Sequence, residues 1–379
     1  MPRAEVAIVA GEASGDLLGS LLIRSVREAG IAAAFSGIAG PKMQSAGAHS
    51  LFPMEALSVR GYVEALGGLR RILGIRKQLG RQLRTHPPRL FIGVDAPDFN
   101  LALEARMKRA GVPTVHFVSP SIWAWRGSRI KKIRRAVDHM LLVFPFEETI
   151  YRDAGIPATY VGHPIAHALP EKPDRLAARE RLKLRPDGEY VALLPGSRVG
   201  ELKALADLYV ATAALLAEQR PGASLLVPLV SRETRQLFEI ALHKSGRELP
   251  LRILFGHAHD ALQAADVGLV ASGTATLEAL LLGCPHVITY RVPWLTWQIM
   301  RRQAYLPWVG LPNILAGRTI VPEILQQAAT PQALADALLG LLQDKSARTT
   351  MTDEFDRLRA SLRRDTPALI AQALRPYLA

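Results

Sequence analysis

Residues 267–285 read VGLVASGTATLEALLLGCP, and this stretch decides the fold. Val267 to Val270 is a short apolar run without polar alternation, the pattern of a strand buried on both faces of a parallel sheet. Leu277, Ala279, Leu280 and Leu281 then supply an apolar helix face. A strand therefore ends and a helix begins, with Ser272, Gly273 and Thr274 on the turn between them. The first N–H groups of that helix have no intrahelical acceptor, and the positive end of the helix dipole faces outward, which suits a phosphate. Glu278, one turn further on, would repel a phosphate but is a good acceptor for two neighbouring sugar hydroxyls. Taken alone, the stretch fits a nucleotide site and an N-capped helix with a solvated glutamate equally well.

The rest of the chain narrows the choice. Its 379 residues exceed one ordinary domain and suffice for two cores. With 49% hydrophobic and 21% charged residues the composition is globular, not disordered. Gly, Pro or charge interrupts every apolar run before about 18 residues, and the N-terminus lacks a signal-peptide pattern, so a cytoplasmic protein is expected. The single cysteine, Cys284, excludes an internal disulfide and reads as a small buried residue in a reducing compartment. No cluster has metal-ligand spacing, and neither a metal nor a cofactor is expected. A net charge of +13 calls for an anionic partner: nucleic acid, anionic lipid or a phosphorylated substrate.

Upstream, Val6 to Ala10 reads as a strand, followed by Gly11-Glu12-Ala13-Ser14-Gly15-Asp16 and a helix. The spacing is not that of a dinucleotide fingerprint, and Glu12 and Asp16 put negative charge where a pyrophosphate would sit. A hydroxylated neutral ligand fits better; a tight turn with a helix-start acid is the plainer alternative. Leu90 to Val94 is a second strand, running into Asp95-Ala96-Pro97-Asp98. Ligands of open parallel sheets sit beyond the carboxyl ends of the strands, so Asp95 and Glu12 look into one crevice if their strands are neighbours. A carboxylate there can act as general base on a substrate hydroxyl, or simply initiate a turn before proline. Between them, residues 57–84 form a basic amphipathic segment, expected to break at Gly67-Gly68, that suits either an anionic membrane surface or a solvated helix back. Val115 to Val118 leads into Ser119-Pro120-Ser121-Ile122-Trp123-Ala124-Trp125-Arg126, an aromatic loop able to grip a sugar, an acyl chain or a neighbouring domain. Leu141 to Phe144 is a further strand, and Val161-Gly162-His163-Pro164 marks a boundary.

A second strand and helix series begins at Tyr190 to Leu194. Pro195-Gly196-Ser197-Arg198 with Glu201 opens a long helix, and here a glycine, a hydroxyl and the planar donor fork of arginine suit a phosphate. Strands are expected at 224–230, 251–255, 267–270 and 286–290, polar-tipped turns at 311–317 and 321–326, and helices from Pro331 onward. Residues 291–312 interleave tryptophans with arginines, a pattern compatible with single-stranded nucleic acid, a membrane interface or an acylated ligand. No nucleic-acid-binding motif accompanies it.

Together these stretches resemble the lipid-A-disaccharide synthases of Gram-negative bacteria. The resemblance rests on GEASGD from Gly11, GVDAPDFN from Gly93, SPSIWAWR from Ser119, GHP from Gly162, LLPGSR from Leu193 with Glu201, ASGTATLEALLLGCP from Ala271 and LPNILAG from Leu311. Val199-Gly200 departs from the phosphate-loop pattern but spares Arg198 and Glu201. The resemblance implies an α/β GT-B fold, two Rossmann-like domains with parallel sheets facing across a cleft: residues 1–162 for the acceptor and membrane docking, residues 163–345 for the UDP-sugar. It leaves open whether the helices of 346–379 pack back on the first domain, and whether the protein is a homodimer. It implies an inverting glycosyltransferase acting on UDP-diacylglucosamine and diacylglucosamine 1-phosphate, peripheral on anionic lipids of the inner membrane and binding no nucleic acid. Asp95 is then the expected base with Glu12 beside it. Ser197, Arg198, Glu201, Ser272, Gly273, Thr274, Thr276, Glu278, Asn313 and Gln326 are expected at the UDP-sugar, and Ser14, Asp98, Ser119 and Trp123 at the acceptor. Another UDP-N-acetylglucosamine enzyme of the same fold, a transferase or 2-epimerase, is the alternative.

Overall fold

The computed structural model describes residues 4–57, 65–124 and 127–378. The chain divides into two compact units, Met1–Pro164 with Leu362–Ala379, and Ile165–Ser361. Helix Thr366–Leu378 packs on helix Ala13–Glu28 of the first unit. Helix Lys345–Leu362 belongs to the second unit except for its last residue.

The first unit is built on seven parallel strands, β1 (Ala4–Ala10), β2 (Ala33–Ala39), β3 (Ala48–Pro53), β4 (Leu90–Val94), β5 (Thr114–Phe117), β6 (His139–Leu142) and β7 (Ala158–Tyr160), in the order β3-β2-β1-β4-β5-β6-β7. β4 is buried along its length, as its unbroken apolar run requires. β2 escaped the sequence reading because AAFSGIA is mostly small residues and its pairing shifts register between Gly37 and Ile38. β3 lies at the sheet edge and is only intermittently buried, and β7 has only the three residues ATY.

Helix Ala65–Thr85 runs through Gly67 and Gly68 without the expected break. Its Leu79 and Leu83 enter the core beside Leu103 and Met107, burial that outweighs the roughly 1 kcal/mol per glycine of lost helix propensity. Residues 58–64 of the basic segment, and Trp125 with Arg126 of the aromatic loop, lie outside the described residues.

The second unit has six parallel strands, β8 (Glu189–Leu194), β9 (Ala223–Leu229), β10 (Leu251–Phe255), β11 (Val267–Ala271), β12 (His286–Tyr290) and β13 (Glu323–Leu325), in the order β10-β9-β8-β11-β12-β13. Residues 323–325, expected within a turn, instead form an edge strand on β12. Only three residues long and placed right after a proline, it carries no readable periodicity. In each sheet the strand order reverses once, between β1 and β4 and between β8 and β11. Crevices of open parallel sheets form beyond the strand ends at such points. Among the described residues, no helix is long and apolar enough to cross a membrane.

Candidate functional site

In the second unit Leu194 of β8 lies beside Val270 of β11, so the turns that follow these strands leave the sheet side by side. Gly196 sits at φ 117°, a left-handed conformation, and a Cβ there would stand 2.5 Å from Glu201 Oε2. That carboxylate oxygen accepts the N–H groups of Ser197 at 3.0 Å and Arg198 at 3.2 Å, while Arg198 Nη1 donates to Oε1 at 3.2 Å. Glu201 therefore closes the loop from within and caps helix Val199–Gln219. The Arg198 side chain remains 79% exposed, its other donors available to an anion.

On the neighbouring turn the Ser272 hydroxyl donates to Val309 O at 3.0 Å. Gly273 is the exposed N-cap of helix Thr274–Leu281, and nothing lies within 4 Å of where its Cβ would be. Thr274 is exposed beside it. Thr276 is buried; its hydroxyl donates to Gly273 O at 2.8 Å and accepts from Leu311 N–H at 3.3 Å. Glu278 lies 3.6 Å from His259 Nε2, and its carboxylate raises the His259 pKa. An imidazole thus shares the carboxylate assigned to a ribose.

Asn313 and Gln326 are engaged within their own unit. Asn313 is buried, its Nδ2 donating to Val321 O and Glu323 Oε1, both at 2.8 Å, and its Oδ1 accepting from Ile320 and Val321 N–H at 2.7 and 2.9 Å. The Gln326 amide pairs with the backbone of Val292, donating at 3.1 Å and accepting at 3.2 Å. Glu323, which sequence reasoning missed, binds Val309 and Gly310 N–H at 2.9 and 3.0 Å. Its only sequence signal is an acid immediately after Val-Pro.

In the first unit Ala10 of β1 lies beside Val94 of β4, and the following turns touch: a Cβ on Gly11 would stand 2.9 Å from Ala96 Cβ. Asp95 and Ala96 both adopt left-handed backbones, φ 51° and 44°, which non-glycine residues rarely do. The Asp95 N–H donates to Phe117 O at 2.9 Å. Its half-buried carboxylate has no hydrogen-bond or ion-pair partner among the described residues. Glu12 is the exposed N-cap of helix Ala13–Glu28 and makes no capping bond with its side chain. Ser14 is exposed in the first turn of that helix. Asp98 is exposed and paired with Arg129 at 2.6 Å. Asp16 proves structural: buried, it accepts Lys42 and Met43 N–H at 2.9 and 3.0 Å and caps helix Pro41–Ser45.

Ser119 and Trp123 of the aromatic loop pack within their own unit. Ser119 is buried, 2.7 Å from Tyr151 Oη, and Trp123 Nε1 donates to Glu147 Oε1 at 3.1 Å with its ring edge-on to Phe144 and Phe146. Glu147 Oε2 also accepts Val143 and Phe144 N–H. Burial pushes the Glu147 carboxyl up to about 7 despite these bonds. The folded protein then holds this proton while the unfolded chain releases it, so stability is full below about pH 4.5 and falls as pH rises through 7. The loss is of order 3 kcal/mol. Glu147→Gln is expected to flatten that slope, read from urea midpoints at pH 5 and pH 8. Because the glutamine NH₂ would face a donor, only the slope is diagnostic. A variant that keeps the wild-type slope would assign it to other groups.

The family model described as Lipid-A-disaccharide synthetase matches residues 6–374. The lipid-A-disaccharide synthase of Methylobacillus flagellatus is 56% identical over 374 residues, covering 98% of this chain and 99% of the relative. Among solved structures, the calicheamicin glycosyltransferase CalG4 superposes with a TM-score of 0.62 at 15% identity, covering 100% of this chain and 99% of that one. The UDP-GlcNAc 2-epimerase of Neisseria meningitidis, solved with UDP-GlcNAc, gives 0.61 at 12%, covering 98% of both chains. Such distant likenesses show the fold alone, two Rossmann-like domains of the GT-B class. The sequence matches go further, and the chain belongs to the lipid-A-disaccharide synthetase family.

Proposed function

We propose that this glycosyltransferase moves a 2,3-diacylglucosamine unit from UDP to the 6-hydroxyl of 2,3-diacylglucosamine 1-phosphate, yielding the β-1,6-linked disaccharide 1-phosphate and UDP. The observation that carries the reading is the pairing of two turns at each switch point: carboxylates at β1/β4, and at β8/β11 a glycine turn with an exposed arginine beside a helix N-terminus. Inversion is one in-line displacement. The acceptor oxygen bonds to the anomeric carbon as the bond from that carbon to the UDP oxygen breaks, and the electron pair leaves with the diphosphate. Asp95 takes the hydroxyl proton, with Glu12 as a second polar group on the same rim. Arg198 and the N–H groups of Ser272 to Thr274 balance the charge growing on UDP, and Glu278 accepts from the ribose. Supplying both acylated substrates should yield disaccharide phosphate and UDP in equal amounts. No disaccharide, with turnover of soluble UDP-N-acetylglucosamine instead, would favour a transferase or epimerase of other specificity.

The acyl chains of both substrates place the reaction at a membrane surface, the cytoplasmic face of the inner membrane. Arg70, Arg71 and Lys77 are exposed on helix Ala65–Thr85. A groove beside them is lined by Arg76, Lys77, Arg81, Arg84, Arg106 and Arg109, with no carboxylate among the described residues. Burial and the nearby Arg106 charge push Arg76 down from its usual range, crowding that anionic headgroups would relieve. Replacing Arg70, Arg71 and Lys77 by Glu is expected to weaken partition onto phosphatidylglycerol vesicles by at least about 10²-fold, at about 1 kcal/mol per basic residue, without lowering Tm. Unchanged vesicle binding would assign this face to solvent.

A further inference from the structure

Asn100 is fully buried on helix Pro97–Arg109, directly under the Asp95–Ala96 turn. Its Nδ2 donates to Asp95 O at 2.8 Å and also faces Val9 O at 3.3 Å and Val94 O at 3.4 Å. One amide thus ties together β1, the end of β4 and the turn itself. Its backbone N–H adds a bond to Ala96 O at 3.0 Å. Left-handed backbone at two successive non-glycine residues is strained by about 1–3 kcal/mol each, and persists only where the surroundings over-determine it. Asn100 supplies that constraint at the point where β1 and β4 part.

The far side of the amide is unusual for a core. Asn100 Oδ1, Glu104 Oε2 and His116 Nε2 are all buried without a hydrogen-bond partner among the described residues. Glu104, one turn along the same helix, binds His116 Nδ1 through Oε1 at 2.6 Å, and burial raises the Glu104 pKa. Asn100 and Glu104 converge on Gly93 of β4, where a Cβ would collide with Glu104 Oε1 and stand 2.9 Å from Asn100 Cβ. An orphaned polar atom in a core costs about 1–3 kcal/mol, so a folding role alone accounts poorly for three of them.

We propose that Asn100 is a positioning residue for Asp95. Its amide holds the left-handed turn in the one geometry that presents the carboxylate to the acceptor hydroxyl, and the Glu104–His116 pair forms the polar floor beneath it. The inference rests on Asp95 being the base. Asn100→Ala is expected to lower kcat about 10²-fold, the cost of a misplaced catalytic group, while KM for the UDP donor and UDP affinity stay within about twofold. In a double-mutant cycle, Asp95→Asn with Asn100→Ala should be no slower than Asp95→Asn alone, because Asn100 acts only through Asp95. A structural role would instead multiply the two losses. Should Asn100→Ala fail to fold by circular dichroism, Asn100→Ser, which keeps one donor, carries the same comparison. Wild-type kcat in the Asn100 variant, or a further loss on top of Asp95→Asn, overturns the inference while leaving Asp95 as base. Near-normal turnover by Asp95→Asn removes the base assignment and this inference with it.

Discussion

Asp95→Ala is expected to abolish glycosyl transfer, a fall in kcat of about 10²–10⁴, while UDP still binds. Two features separate the effects. Asp95 stands on the first unit at the β1/β4 switch point, whereas the groups proposed to hold the diphosphate stand on the second unit at β8/β11. The side chain also bonds to nothing else among the described residues, so its removal takes away the base without undoing a network. Asp95→Asn is the cleaner companion, because asparagine tolerates a left-handed backbone better than alanine and φ here is 51°. Steady-state rates with calorimetric UDP titration make the test. A variant turning over within tenfold of wild type would mean that another group takes the proton, with exposed Glu12 the first candidate.

Much of this is legible in the sequence alone. The apolar runs of β1, β4, β8 and β11 announce buried parallel strands because such strands are covered on both faces. A ligand is then expected beyond their carboxyl ends, and Glu12, Asp95, Arg198 and Ser272 do fall on the turns that follow these strands. Edge strands carry a weaker signal: β10 was read from its apolar run, but β3, β7 and β13, short or only partly buried, went unseen. Polar side chains were the less legible part, since residue type does not tell whether a side chain turns inward. Asn313, Gln326 and Glu201 have groups that suit a nucleotide, yet each is engaged by backbone N–H or C=O groups of its own unit. Ser119 and Trp123 likewise pack against Tyr151 and Glu147. Conversely Asn100, although it closes the GVDAPDFN stretch, and Glu323 carry no sequence sign of their role, and only the carbonyls and N–H groups gathered around them reveal what they do.

The second large effect is expected at the phosphate loop, through two substitutions that act by different routes. Arg198→Ala should cut kcat/KM for the UDP-sugar by about 10²–10³, the usual cost of removing one charge-stabilising donor. Arg198→Lys should recover only part of it, since an ammonium lacks the planar fork. Gly196→Ala changes no charge and should reach a similar loss by geometry. At φ 117° the new Cβ is strained, and it meets Glu201 Oε2 at 2.5 Å. The carboxylate must then leave the Ser197 and Arg198 N–H groups, uncapping helix Val199–Gln219 at a further cost of about 1 kcal/mol. The two variants therefore differ in Tm: Arg198→Ala, with its side chain mostly in solvent, should melt like wild type, whereas Gly196→Ala should melt several degrees lower. Equal Tm values for both, with activity lost only in Arg198→Ala, would show that the loop's shape is dispensable. The arginine would then be the whole of the phosphate site.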